Sequence, residues 1–175
     1  MTNILVAGIG NIFFGDDAFG VEVAQKLSGK QFPKSVTVKD FGIRGFDLAY
    51  AMMDDRYDVT ILIDAIPQGG KPGSLHTIEP DLTDLDSLED WSPVDTHGMT
   101  PVRVFRLIEA MGGKCKRVLI VGCEPESLGP EEGQLGLTPT VAASVDEAAN
   151  LIEAMIKEIL TNRLMNVTAE TRVAE

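Results

Sequence analysis

The 175-residue chain carries 15 basic and 27 acidic side chains, a formal net charge of −12, and 44% of it is hydrophobic. That length suits one domain, with a core large enough to fold without disulfides or a structural metal. A negative surplus of this size repels phosphate backbones and anionic bilayers, which sets nucleic-acid binding and membrane-surface attachment aside.

No apolar run approaches the roughly 18 residues of a membrane span. The start, Met-Thr-Asn followed by Ile4 to Ile9, lacks the basic region, long apolar core and cleavage site of a signal peptide. The expected location is therefore cytoplasmic. Cys115 and Cys123 flank an apolar run, and eight residues of strand span about 26 Å, far beyond disulfide reach. Two reduced thiols are expected.

In chain order, the strongest apolar runs are Ile4–Ala7, Val59–Ile63 and Val118–Val121. Short unbroken runs rich in branched residues suit strands buried on both faces of a parallel sheet. Weaker strands are predicted at Val36–Lys39 and at Ser74–Ile78, the latter after the turn Gln68-Gly69-Gly70-Lys71-Pro72-Gly73. Helical spacing appears at 18–28 and 46–53. Thr100-Pro101 gives a cap and a first-turn proline for a helix that Gly112-Gly113 ends. Thr138-Pro139 repeats that start and predicts one long amphipathic helix through Ile159. Residues 79–95 are rich in acids and read as a solvated loop, with a surface for a basic partner segment as the alternative. The domain is predicted to span 1–160, with 161–175 a polar, frayed tail.

Strands alternating with helices predict a three-layer α/β/α sandwich. Its sheet is mostly parallel and twisted, of about five strands, with helices on both faces. In such a sheet ligands bind beyond the carboxyl ends of the strands. Gly8-Ile9-Gly10-Asn11 and Gly15-Asp16-Asp17 follow the first strand, and Asp40-Phe41-Gly42-Ile43-Arg44-Gly45 follows the second. Asp64 follows the third, and Gly122-Cys123-Glu124-Pro125-Glu126 follows the last. His97 precedes the Thr100 helix. His76 falls in the fourth strand and reads as an ordinary strand residue.

The first loop invites a dinucleotide reading, and Asp40 could serve as its ribose-binding acid. However, the glycines at 8, 10 and 15 miss the G-x-G-x-x-G spacing, and Phe13 occupies the third glycine's place. Two carboxylates at 16 and 17 also suit a phosphate poorly. The other constellation is Asp17, Asp64 and His97. Two carboxylates and an imidazole make an open-sided set for a borderline divalent ion such as nickel or zinc. Taken singly, Asp16 or Asp17 could instead cap the helix at 18–28.

At these residues the sequence resembles the hydrogenase maturation proteases. The likeness runs from about residue 3 to 160. It opens with I-L-V-A-G-I-G-N-I-F-F-G-D-D-A-F-G, Ile4 to Gly20, and continues with D-F-G-I-R-G-F, Asp40 to Phe46, and I-D-A, Ile63 to Ala65. Asp95-Thr96-His97, then G-C-E-P-E-S-L and G-L-T-P-T-V, complete it. Ala18 stands where the family commonly has Gly, Phe13 where Leu is common, and Asp17 where Glu or Asp occurs.

The resemblance implies an endopeptidase that removes the C-terminal extension of a nickel–iron hydrogenase large-subunit precursor after nickel insertion. The substrate's nickel is then the recognition signal. It implies metal contacts at Asp17, Asp64 and His97, and substrate recognition by Gly42, Ile43, Arg44 and Gly45. It implies no organic cofactor; the nickel comes with the substrate, and zinc or cadmium can stand in for it in vitro. Two mechanisms fit: polarisation of the scissile carbonyl or a water by the metal, or docking by the metal with an acid such as Asp16 as general base. Asp16 and Asp17 are thus the catalytic candidates. A non-catalytic nickel-binding chaperone of the precursor and a nucleotide-dependent oxidoreductase are the alternatives.

Overall fold

The apolar runs become strands buried along their length. A computed structural model of the chain describes residues 1–91 and 99–172, with side chains placed over 1–88 and 99–162. Strands β1 (Ile4–Ile9) and β3 (Val59–Ala65) are buried at every residue, and β5 (Arg117–Cys123) at every residue but Arg117. These three form the middle of a five-stranded sheet of order β2-β1-β3-β5-β4. The weaker runs, β2 (Val36–Gly42) and β4 (Leu75–Ile78), are its partly exposed edges. β1 pairs in parallel with β2 and β3, and β3 with β5; only β4 runs antiparallel, against β5.

Alternation along the strands divides the core into two layers. Ile4, Val6, Ile61, Ile63 and Val121 pack against α1 (Phe19–Ser28) and α5 (Val145–Arg172). Leu5, Ala7, Leu62 and Ile120 pack against α2 (Gly45–Met53) and α3 (Pro101–Ala110). The chain is a three-layer α/β/α sandwich. Each fully buried Ile or Leu contributes about 1.5–3 kcal/mol, whereas a half-exposed ion pair such as Arg117–Glu79, at 2.8 Å, gives less than about 1 kcal/mol. Apolar burial therefore holds the layers. No helix among the described residues is long and apolar enough to cross a membrane.

Both threonine–proline signals start helices. The Thr100 hydroxyl accepts the Arg103 amide at the start of α3, and the Thr138 hydroxyl accepts the Val141 amide at the start of α4 (Pro139–Ala142). The single long helix expected after Thr138 is broken at Ala143–Ser144. There the Ser144 hydroxyl donates to the Gly73 carbonyl at 2.6 Å, and α5 sets off again beyond it. α5 then continues to Arg172, past the boundary expected at 160. No glycine or proline follows Pro139 to stop it. The 79–95 stretch is not wholly a solvated loop: Leu85, just before a 3-10 turn at Asp86–Trp91, and Leu88, within it, are buried in the α2/α3 layer.

Candidate functional site

The first loop is shaped by its glycines. At Gly10 the φ angle is +130°, and a Cβ there would run into the Asp17 carbonyl. At Gly20 a Cβ would strike the carbonyl oxygens of both Ile9 and Ile63. These two absences let the start of α1 press onto the ends of β1 and β3. The intervening chain curls back through Phe14 N–H to Asn11 O and Asp17 N–H to Phe14 O, each 3.1 Å. A 3-10 turn at Gly15–Ala18 leads into α1.

The curl returns Asp17 to the end of β1, where its Oδ2 accepts the Asn11 amide at 2.6 Å. Asp17 is half-buried. Asp64, the residue after Ile63, is 2% exposed, and its Oδ1 accepts its neighbour Ala65's amide at 2.8 Å. Burial first, and then the charge of Asp17, raise the Asp64 carboxyl well above its ordinary pKa. The sheet edge thus brings together two of the three residues of the predicted metal set. The third, His97, with Asp95 and Thr96, lies outside the described residues. Among the described residues no group of three or more His, Cys, Asp or Glu could hold a metal ion.

Asp16 points elsewhere. It is 0% exposed. Its Oδ2 accepts the amides of Glu126 (2.8 Å) and Ser127 (2.9 Å) and the Thr138 hydroxyl (3.0 Å); its Oδ1 accepts the Thr138 amide (2.7 Å). Four donors occupy this carboxylate, and solvent does not reach it. That is the geometry of an anchor for the segment between β5 and α4, not of an acid poised to take a proton from water. Backbone bonds extend the seam: Gly15 N–H to Gln134 O at 2.8 Å and Gln134 N–H to Phe13 O at 2.7 Å.

The second loop lies against the first. Gly42, at φ +54°, accepts the Gly10 amide through its carbonyl at 3.1 Å. Ile43 is 57% exposed. Arg44 is exposed too, but its guanidinium folds back onto the carbonyls of Asp40 and Phe41. Gly45 is buried under Met99, whose side chain occupies the space of a Cβ. Asp40 accepts a hydrogen bond from Gln25 at 3.3 Å. Glu124 is buried and accepts the amides of Gln68 (2.7 Å) and Gly69 (3.2 Å), fixing the loop before β4.

His76 is a residue of β4, as its sequence position suggests, and the register sets it in line with the site. It pairs with Gly122 across β4–β5, and Gly122 pairs with Asp64 across β5–β3. Histidine and carboxylate therefore share one row of the sheet, with only a glycine between them. The imidazole tip rests on Gly122, and its buried Nε2 has no hydrogen-bond partner among the described residues. Burial lowers its pKa, and the Glu124 charge opposes that shift. Only the strand register reveals this row, because β4 is antiparallel and nothing in the local sequence says so.

Both cysteines are free, and Cys123 is buried. Burial, with Asp16 and Glu124 adding to it, pushes the Cys123 thiol up to about 12. It is not a nucleophile at neutral pH. The dinucleotide reading gains nothing here, since the loop that would cradle phosphates carries Asp17, with Asp64 beside it at the end of β3.

A family model for hydrogenase maturation proteases matches residues 21–155. A putative hydrogenase maturation protease of Methanocaldococcus jannaschii is 32% identical over 156 residues, covering 89% of this chain and 97% of its own. The hydrogenase 2 maturation protease of Escherichia coli is 31% identical over 157 residues, covering 89% and 91%. The solved structure of the E. coli hydrogenase maturating endopeptidase HybD superposes with a TM-score of 0.69 at 30% identity, covering 90% of this chain and 93% of its own. Sequence and fold agree: this chain is a peptide hydrolase and belongs to the hydrogenase maturation protease family.

Proposed function

We propose that the chain cleaves the C-terminal extension from the large-subunit precursor of a nickel–iron hydrogenase, after nickel insertion, and reads the substrate's nickel through Asp17 and Asp64, with His97 as third contact. The observation that carries this is the coupling of the two carboxylates. Asp64 is buried beside a like charge, an arrangement that costs free energy until a cation arrives. Carboxylate oxygens suit a borderline divalent ion, so the donor set fits.

The residues divide the work. Asp17 is aimed by the Asn11 amide and is the more accessible of the pair. Asp64, at the end of β3, would hold the cation from the buried side. When bound, the substrate's nickel supplies the positive charge that offsets both carboxylates and a fixed point for placing the scissile bond. Asp16 positions the β5–α4 segment beside that point and takes no proton in this reading. Gly42 to Gly45 frame the neighbouring side, with Ile43 turned outward to meet the polypeptide. Catalysis by positioning is consistent with this arrangement, since the groups near the bond are held by backbone amides on strand ends. The two free cysteines suit a reducing compartment, in keeping with a cytoplasmic location.

The test is to incubate the purified chain with nickel-loaded and nickel-free precursor and read intact mass. Loss of a C-terminal peptide from the loaded form alone supports the reading. Equal trimming of both forms removes nickel recognition from it.

A further inference from the structure

Met1 aside, the large hydrophobic side chains exposed among the described residues are Ile12, Phe13, Ile43, Phe46, Tyr50 and Leu135. All six lie on the segments that follow β1, β2 and β5, which leave the sheet at its carboxyl edge, where Asp64 ends β3 and Asp17 follows β1. They fall into two groups. Phe13 (58% exposed) and Leu135 (73%) are neighbours through the Gln134–Phe13 backbone bond, on the seam that leads into α4 and α5. Phe46 (61%) and Tyr50 (64%) stand one helical turn apart on α2, with Ile43 just before them. α5 covers one face of the sheet and α2 the other. The two groups therefore belong to segments tied to opposite faces of the sheet, Phe13 leading into α1 and Phe46 and Tyr50 standing on α2.

Scattered exposed hydrophobics are ordinary; a set concentrated around one site marks an interaction surface. The occupant follows from the chemistry between the groups. A protease must admit polypeptide on both sides of the bond it cuts, and both groups stand on segments that adjoin the loop of Asp17: Phe13 lies within it, and Gly42, just before Ile43 and Phe46, accepts the Gly10 amide. We propose that Phe13 with Leu135, and Phe46 with Tyr50, form two apolar docking shoulders for the precursor, gripping apolar side chains of its chain on either side of the scissile bond. This rests on the endopeptidase reading above and specifies its substrate: specificity comes from apolar contacts flanking the metal, beyond the Gly42–Gly45 loop.

The experiment uses the full chain and the nickel-loaded precursor. Phe13→Ser, Leu135→Ser, Phe46→Ser and Tyr50→Ser are made singly and in pairs within each shoulder. All four sites are more than half exposed, so thermal unfolding should match wild type; Phe13→Leu and Phe46→Leu serve as conservative rescues. Each paired serine variant is expected to raise KM about tenfold, with kcat within about twofold, and leucine is expected to restore KM. An unchanged KM in both paired variants, while the wild-type chain processes normally, overturns the docking shoulders and leaves the endopeptidase reading intact. So does a wild-type dimer that Phe46→Ser renders monomeric without any change in KM, which would make the rim a self-association face. A wild-type chain that cleaves no such precursor overturns the underlying reading, and the shoulders with it.

Discussion

Asp64 lies buried beside Asp17, and burial first, with the Asp17 charge adding to it, raises the Asp64 carboxyl well above its ordinary range. Two acids separated by almost fifty positions in the chain meet because Gly20 lets α1 close onto the ends of β1 and β3. A pair so placed is unfavourable for the fold and useful for binding a cation, and that opposition can be measured.

Asp64→Asn is expected to stabilise the isolated protein at neutral pH. A carboxyl raised in the folded state stays protonated there while the unfolded chain ionises near pH 3.9. Stability therefore falls as pH rises from that value through the folded pKa, and above it the penalty is complete. Asparagine keeps the acceptor for the Ala65 amide and loses the penalty. Urea unfolding at pH 4 and pH 8 checks this: the variant should gain over wild type at pH 8 and little at pH 4. A loss of stability at pH 8 would contradict the burial of an unfavourable charge.

Asp16→Asn should do the opposite. An amide nitrogen turned towards the donors of Glu126, Ser127 and Thr138 leaves buried groups unpaired, at a cost of about 3 kcal/mol. Denaturant unfolding reads the loss directly. If Asp16 were a general base with no anchoring role, stability would stay near wild type while kcat collapsed.

Gly20→Ala adds a methyl group against two strand carbonyls. Backbone must shift to admit it, so about 2–4 kcal/mol of stability should be lost. Because the shift separates Asp17 from Asp64, the Asp64 pKa should also fall towards its ordinary value, as carboxyl NMR titration would record. Unchanged titration would mean that the helix–strand contact does not set the spacing of the pair.

Cys123, with its thiol pushed up to about 12, is expected to resist alkylation by iodoacetamide at pH 8 in the folded protein. Peptide mapping after short exposure should find Cys123 unmodified. Rapid labelling there would show that the β5 end opens to solvent.

The strands were readable because β1, β3 and β5 are buried on both faces and carry unbroken branched runs. The starts of α3 and α4 were readable because Thr-Pro is a local signal. What the sequence hides is tertiary. The break at Ser144 depends on the Gly73 carbonyl, a partner far away in the chain. Asp16 and Asp17 look interchangeable as neighbours. A 3-10 turn, however, rotates successive residues by about 120°, which sends Asp16 to the β5–α4 segment and Asp17 to the sheet edge. The row of Asp64, Gly122 and His76 follows from strand order and register, which composition does not encode. Nor does spacing along the chain disclose that Phe13 and Leu135 are neighbours, since the seam anchored by Asp16 brings them together.

The most direct test of the carboxylate pair is intact mass spectrometry of nickel-loaded large-subunit precursor, incubated in parallel with wild type, Asp17→Asn and Asp64→Asn. The expected result is release of a C-terminal peptide by wild type alone, with both variants folded and Asp64→Asn the more stable protein at pH 8. Wild-type cleavage rates in Asp64→Asn would contradict the account.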